Sequence, residues 1–276
     1  DQSQLDFPRR PADTKPMIAH FALRLIFGMS LMWCLMPRGQ VTAGFFRIQM
    51  LIVMSLAVIT ALLFSGLWSA EATTSAIGLL APGQATWLAG LVAFVTFVGS
   101  VVWTLQRRRA GTATVWLVML ISASLLLCCS WSTTDSPRSN DGLVLITELS
   151  SGGLLGAAMV SMLLGHWYLT ASGMSLVPLS RLNVILGIAT LVRVLVATLG
   201  LFLAWQSLET NQQATLIALR WLAGLVGPLL VVAMVWRILK FGNTQSATGV
   251  LYVGVVLTLI GELTAALLTR ELSVPL

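Results

Sequence analysis

Charge is what this sequence has least of. Only 9% of its 276 residues are Asp, Glu, Lys or Arg, where soluble domains carry about one quarter, so the chain cannot cover itself with an ordinary water-facing surface. Residues that carry chemistry are nearly as scarce, with two histidines, two tyrosines and three cysteines. Cys34 and the adjacent Cys128 and Cys129 lie inside apolar segments without ligand-type spacing to a histidine, which assigns them to helix packing. The two histidines and the scattered carboxylates provide no clustered ligand set for a metal. No glycine-rich phosphate loop, nucleophile elbow or zinc-protease helix motif occurs. Soluble-type catalysis therefore has nowhere to live, and the sequence predicts no catalytic, cofactor or metal residues.

Apolar length is what the chain has in abundance. It is 57% hydrophobic, with a mean hydropathy of +0.90. Runs of about 20 apolar residues recur along it, each sufficient to cross roughly 30 Å of hydrocarbon at about 1.5 Å per residue. The fold class this predicts is all-α: a polytopic transmembrane bundle of about eight helices with no soluble domain. The helices are expected near 17–36, 45–69, 84–105, 113–131, 143–170, 181–206, 214–239 and 247–269. One membrane domain spans 17–270, between a polar tail at 1–16 and a short tail at 271–276. The first 16 residues do not have the pattern of a signal peptide, so the first apolar run is expected to remain as an anchor.

A net charge of +6 and a pI near 10 raise the question of nucleic acid. The basic residues sit in short loops and helix ends with no basic domain, which excludes it and makes them topology signals. The expected partner is the lipid bilayer, with room for other membrane subunits. Threading the chain alternately through the membrane puts Arg38, Arg47, Arg107, Arg108, Arg109, Arg181, Arg237 and Lys240 on one side with no acidic residue. The other side receives Arg9, Arg10, Lys15, Arg138, Arg270 and every Asp and Glu. By the positive-inside rule the acid-free side is cytoplasmic and both termini face outward, in what is expected to be a bacterial cytoplasmic membrane. Tryptophans also fall near helix ends, where aromatic belts form: Trp33, Trp68, Trp87, Trp103, Trp116, Trp131, Trp167, Trp205 and Trp236, with Trp221 somewhat deeper. No internal repeat is evident between 1–140 and 141–276.

An ionisable residue at the centre of a transmembrane helix costs about 2.5 to 3.5 kcal/mol on insertion scales, so each needs a reason. His20, Arg24, Glu148, Arg193, Arg220 and Glu262 are the candidates for a polar cavity. All but Arg193 fall in one layer roughly 6 to 12 Å below the predicted outer boundary, and Arg193 lies near the middle of its helix. Helical spacing puts small residues on their faces: Ala189, Ala197 and Gly200 with Arg193, Gly224 and Gly227 with Arg220, Gly152 and Gly156 with Glu148, and Thr258, Ala265, Ala266 and Thr269 with Glu262. These are interior faces. Two uses fit the set. The glutamates can simply glue helices together through arginine, or the third arginine, left over from two carboxylates, can await an anionic solute, a lipid phosphate or a quinone oxygen. Ser150 to Gly153 after Glu148, and Gly224, Gly227 and Pro228 after Arg220, are expected to break their helices, as happens around membrane cavities.

A second candidate site lies at the inner interface, where His166 and Tyr168 approach Arg47 and Arg181 and suit either interfacial anchoring or a headgroup or quinone. A haem held by His20 and His166 is excluded by topology. The first and fifth helices run the same way, yet His20 begins its helix and His166 ends its own, about 30 Å apart along the membrane normal. No cofactor is predicted, although quinone or lipid would fit the two sites. A transporter-like protein handling a small polar or anionic solute through the outer charged layer is the function expected first. A non-catalytic or quinone-contacting subunit of a larger membrane redox complex is the alternative. A lipid-modifying enzyme ranks third, since no catalytic pair presents itself.

Overall fold

A computed structural model describes residues 15–65, 79–131, 141–171, 173–204 and 211–272. Its helices are α1 (Lys15–Leu35), α2 (Ala43–Ser65), α3 (Pro82–Thr104), α4 (Arg108–Ser130), α5 (Asp141–Thr170), α6 (Val177–Ala204), α7 (Asn211–Trp221), α8 (Gly227–Lys240) and α9 (Thr244–Leu272). A π-helical turn, Leu222–Val226, joins α7 to α8 as one span. Eight helical spans among the described residues are long and apolar enough to cross a membrane, so the chain is an all-α polytopic membrane protein.

The helices start earlier than the apolar runs do. α4 begins at Arg108 rather than near 113, and α6 at Val177 rather than near 181, because polar residues at headgroup level continue the backbone hydrogen bonding. Local chemistry sets the ends. Pro82 opens α3, and Gln84 Oε1 accepts the Ala81 N–H at 3.1 Å. Asn243 Oδ1 accepts the Ser246 N–H at the start of α9, 3.0 Å. Gly242, at φ +69°, turns the chain out of α8. The predicted ends near 69 and 206 lie outside the described residues, as do Trp68 and Trp205.

Helix adjacency follows chain order twice over. α1 packs on α2 and α4, α2 on α3, and α3 on α4; α5 then packs on α6 and α9, α6 on α8, and α8 on α9. The two four-span rings meet where α1 runs parallel to α5. The order of packing repeats although no residue pattern does, and the two halves point the same way. At the centre, 61% of the most apolar stretch is buried in both α1 and α5, against 33% in α2, α4 and α6. Cβ atoms at Gly28 or Gly156 would strike the facing backbone, so the two helices touch main chain to main chain.

Two sequence expectations are corrected. Trp33 and Trp103 do not sit at the lipid interface: they are 0% and 2% exposed, and Trp103 stacks on Phe46 with ring centroids 4.4 Å apart. Proximity to a helix end fixes depth, whereas the side of the helix decides between lipid and core. The stretch Ser150 to Gly153 does not break α5, which is helical from Asp141 to Thr170. Its glycine at 152 instead admits Phe27 and the Arg24 carbonyl, and an unbroken helix spares lipid-depth backbone groups the cost of losing their partners. After Arg220 the helix does depart from α geometry. Pro228 has no N–H to offer the Gly224 carbonyl, and the π turn absorbs the mismatch.

Candidate functional site

Two glycine crossings set the geometry of the charged layer. One turn above Gly28 and Gly152 stand Arg24 on α1 and Glu148 on α5, close enough for a two-pronged ion pair. Arg24 Nε donates to Glu148 Oε2 at 2.6 Å, and Arg24 Nη2 donates to Oε1. The second crossing brings α7 against α9, where a Cβ on Gly224 would lie 2.6 Å from the Gly261 Cα and 3.1 Å from Arg220 Nη1. The missing side chain thus leaves space for both the neighbouring helix and the guanidinium of Arg220.

Glu262 on α9 is the hub. Its carboxylate accepts Arg193 Nε at 3.0 Å and Arg193 Nη2 at 3.0 Å from α6, Arg220 Nη1 at 2.7 Å from α7, and Ser151 Oγ at 2.5 Å from α5. Glu262 and Arg193 are wholly buried, and Arg220 is 2% exposed. A lone carboxylate at this depth would be costly, and four donors, three of them from guanidiniums, offset that cost. Ser151 lies three residues beyond Glu148 on α5, so one helix face touches both ion-pair groups. Five helices, α1, α5, α6, α7 and α9, contribute to the layer.

The layer remains electrostatically asymmetric. Three guanidiniums face two carboxylates among the described side chains, which leaves one positive charge in excess. Arg220 shows where this excess is felt: its Nε and Nη2 have no hydrogen-bond partner among the described residues although the residue is buried. The hydroxyls of Thr258, one turn from Glu262, and Thr147, beside Glu148, also lack a partner among the described residues. Buried donors of this kind are uncommon, because each forfeits its hydration.

A cleft of about 220 Å³ opens between α1 and α9 and is lined by Met17, His20, Phe21, Arg24, Ala266, Thr269 and Arg270. Arg24 belongs to both the cleft and the ion-pair layer, so the cleft reaches the layer at the Arg24–Glu148 pair. Ala266 and Thr269 share the helix face of Glu262, which explains why small residues recur there.

Of the six residues assigned to a polar cavity from sequence, the structure pairs Arg24 with Glu148 and, separately, Arg193 and Arg220 with Glu262, and His20 lines the cleft beside Arg24. The second set does not converge in this way. His166 Nδ1 lies 3.4 Å from the Tyr252 hydroxyl, and buried Tyr168 donates its hydroxyl to the Ser175 carbonyl. Arg47 is exposed on α2, and Arg181 lines a different cleft. Sequence reasoning passed over Ser151 as a ligand of the carboxylate. Its spacing of three from Glu148 on an interior face was the available signal. Among the described residues no group of three or more His, Cys, Asp or Glu side chains is placed to hold a metal ion. Comparison with protein-family models, curated protein sequences and solved structures finds no match.

Proposed function

We propose that this integral membrane protein handles a small anionic solute, admitting it through the α1–α9 cleft to the arginines of the buried layer, as a transporter does. The observation that carries this reading is Arg220, a buried guanidinium with two unpartnered donors in a layer with excess positive charge. Arg220 shares the one carboxylate of Glu262 with Arg193, so the pairing of these side chains leaves positive charge over for an anion. An anion with two oxygens matches the planar fork of a guanidinium, and carboxylate and phosphate both have that geometry. The 220 Å³ cleft is smaller than the roughly 300 to 1,000 Å³ typical of drug-sized ligands, which favours a small solute. With the basic helix ends on the cytoplasmic side, the cleft faces outward together with both termini, and solute arrives from the non-cytoplasmic side.

Flux into proteoliposomes tests the reading, with labelled phosphate and short-chain carboxylates presented to the purified protein. Arg220→Gln keeps a hydrogen-bonding side chain and should abolish uptake of the transported anion while the protein still runs as a single folded peak. Uptake by Arg220→Gln equal to that of the unaltered protein, or no uptake of any anion by the unaltered protein, would reject it.

A further inference from the structure

A second cleft lies at the opposite end of the bundle, between the first turns of α6 and the last turns of α8. Its volume is about 430 Å³, and Val177, Ser180, Arg181, Val184, Trp236 and Lys240 are among the residues that line it. Its chemistry is split along the membrane normal. Val184 and Trp236, 52% and 54% exposed, present apolar surface from neighbouring helices. Arg181 and Lys240 supply two cations at the helix ends, and Lys240 Nζ sits 3.6 Å over the centre of the Trp236 ring.

Neither cation has a carboxylate partner among the described residues. The acidic side chains described, Glu148 and Glu262, both lie at the far end of the bundle in the ion-pair layer. Lys240 is held by an aromatic face instead of an acid, which orients the ammonium without neutralising it. An apolar groove, a tryptophan near the helix end and paired cations match a molecule with an apolar chain and an anionic headgroup.

The geometry points to a binding site for an anionic phospholipid, its phosphate between Arg181 and Lys240 and an acyl chain against Val184 and Trp236. Two basic residues near the surface attract a charged headgroup, and the groove adds contact that a free ion cannot make. The site is independent of the anion-handling layer and stands whether or not that layer transports.

Native mass spectrometry of protein extracted from vesicles with equal phosphatidylglycerol and phosphatidylcholine tests it. The unaltered protein should retain phosphatidylglycerol in preference by about tenfold or more, and inorganic phosphate in the buffer should not displace it. Arg181→Gln/Lys240→Gln should lose most of that preference, whereas Arg107→Gln/Arg109→Gln, on the same side of the bundle, should keep it. Equal retention of the two lipids by the unaltered protein would overturn the proposal. Displacement by inorganic phosphate would overturn it in favour of a free-anion site, and equal loss in both double variants would reduce it to general surface charge.

Discussion

Glu262 shows how much of the site a single residue can organise. Removing its charge leaves Arg193 and Arg220 buried without their carboxylate, so Glu262→Ala should lower the stability of the folded protein by about 3 to 5 kcal/mol. Thermal unfolding in detergent, followed by tryptophan fluorescence, measures it. Ser151→Ala removes one hydrogen bond to a charged group and should cost less, about 1.5 to 3 kcal/mol at most, in the same assay. Similar losses for both would mean that the ion pairs add little. The five ionisable residues of the layer stand out in the sequence, since a charge in an apolar run is conspicuous. Their pairing does not. Periodicity tells which face of a helix a residue occupies, but that Glu148 takes Arg24 while Glu262 takes both Arg193 and Arg220 depends on which helices adjoin. Ser151 was inconspicuous for the opposite reason, because a serine in a membrane helix is cheap and needs no partner to justify it.

At the scale of helices, close crossings do the positioning. Gly28, Gly152 and Gly156 bring α1 to α5, and Gly224 and Gly261 bring α7 to α9; Gly28, Gly152, Gly224 and Gly261 each lie within about a turn of an ion-paired residue. Gly156→Leu should therefore disrupt folding, seen as loss of the monodisperse peak on size-exclusion chromatography. Gly90→Leu, where a Cβ would meet nothing within 4 Å, should leave that peak unchanged. Gly152 and Gly156 could be placed on the Glu148 face from spacing alone, but their partner Gly28 could not, because it shares no sequence neighbourhood with them. The serine-glycine run in α5 misled for a physical reason: glycine in a membrane helix serves approach as readily as breakage. Within the described spans, the backbone departs from α geometry just before Pro228, which removes a donor outright.

Across the whole molecule, the two rings of spans differ in what they carry. α3 has no Lys or Arg and α2 and α4 carry theirs within the first five residues, whereas every buried charge among the described residues belongs to the second ring, with half-buried Arg24 of α1 against it. The first ring is an apolar scaffold against which α1 presents Arg24 to the second. The span count and the alternation were legible in the sequence because lipid imposes length and backbone satisfaction on every crossing. The repeated packing order was not, since it is written in neighbours rather than residues. The orientation we propose rests on the positive-inside rule applied to the basic helix ends. In a background lacking Cys34, Cys128 and Cys129, a cysteine introduced by Gly142→Cys should react with an impermeant maleimide in intact cells, and one introduced by Gly39→Cys only after permeabilisation. The reverse pattern would invert the molecule.

Everything proposed for the outer cleft rests on a guanidinium poised for an anion. The most direct measurement is the current evoked on a solid-supported membrane when proteoliposomes meet a jump in small-anion concentration. The unaltered protein should give a transient, anion-dependent current, and Arg220→Gln should give none at equal reconstituted amounts. Identical currents from both proteins, or no current with any phosphate or carboxylate tested, would contradict the account.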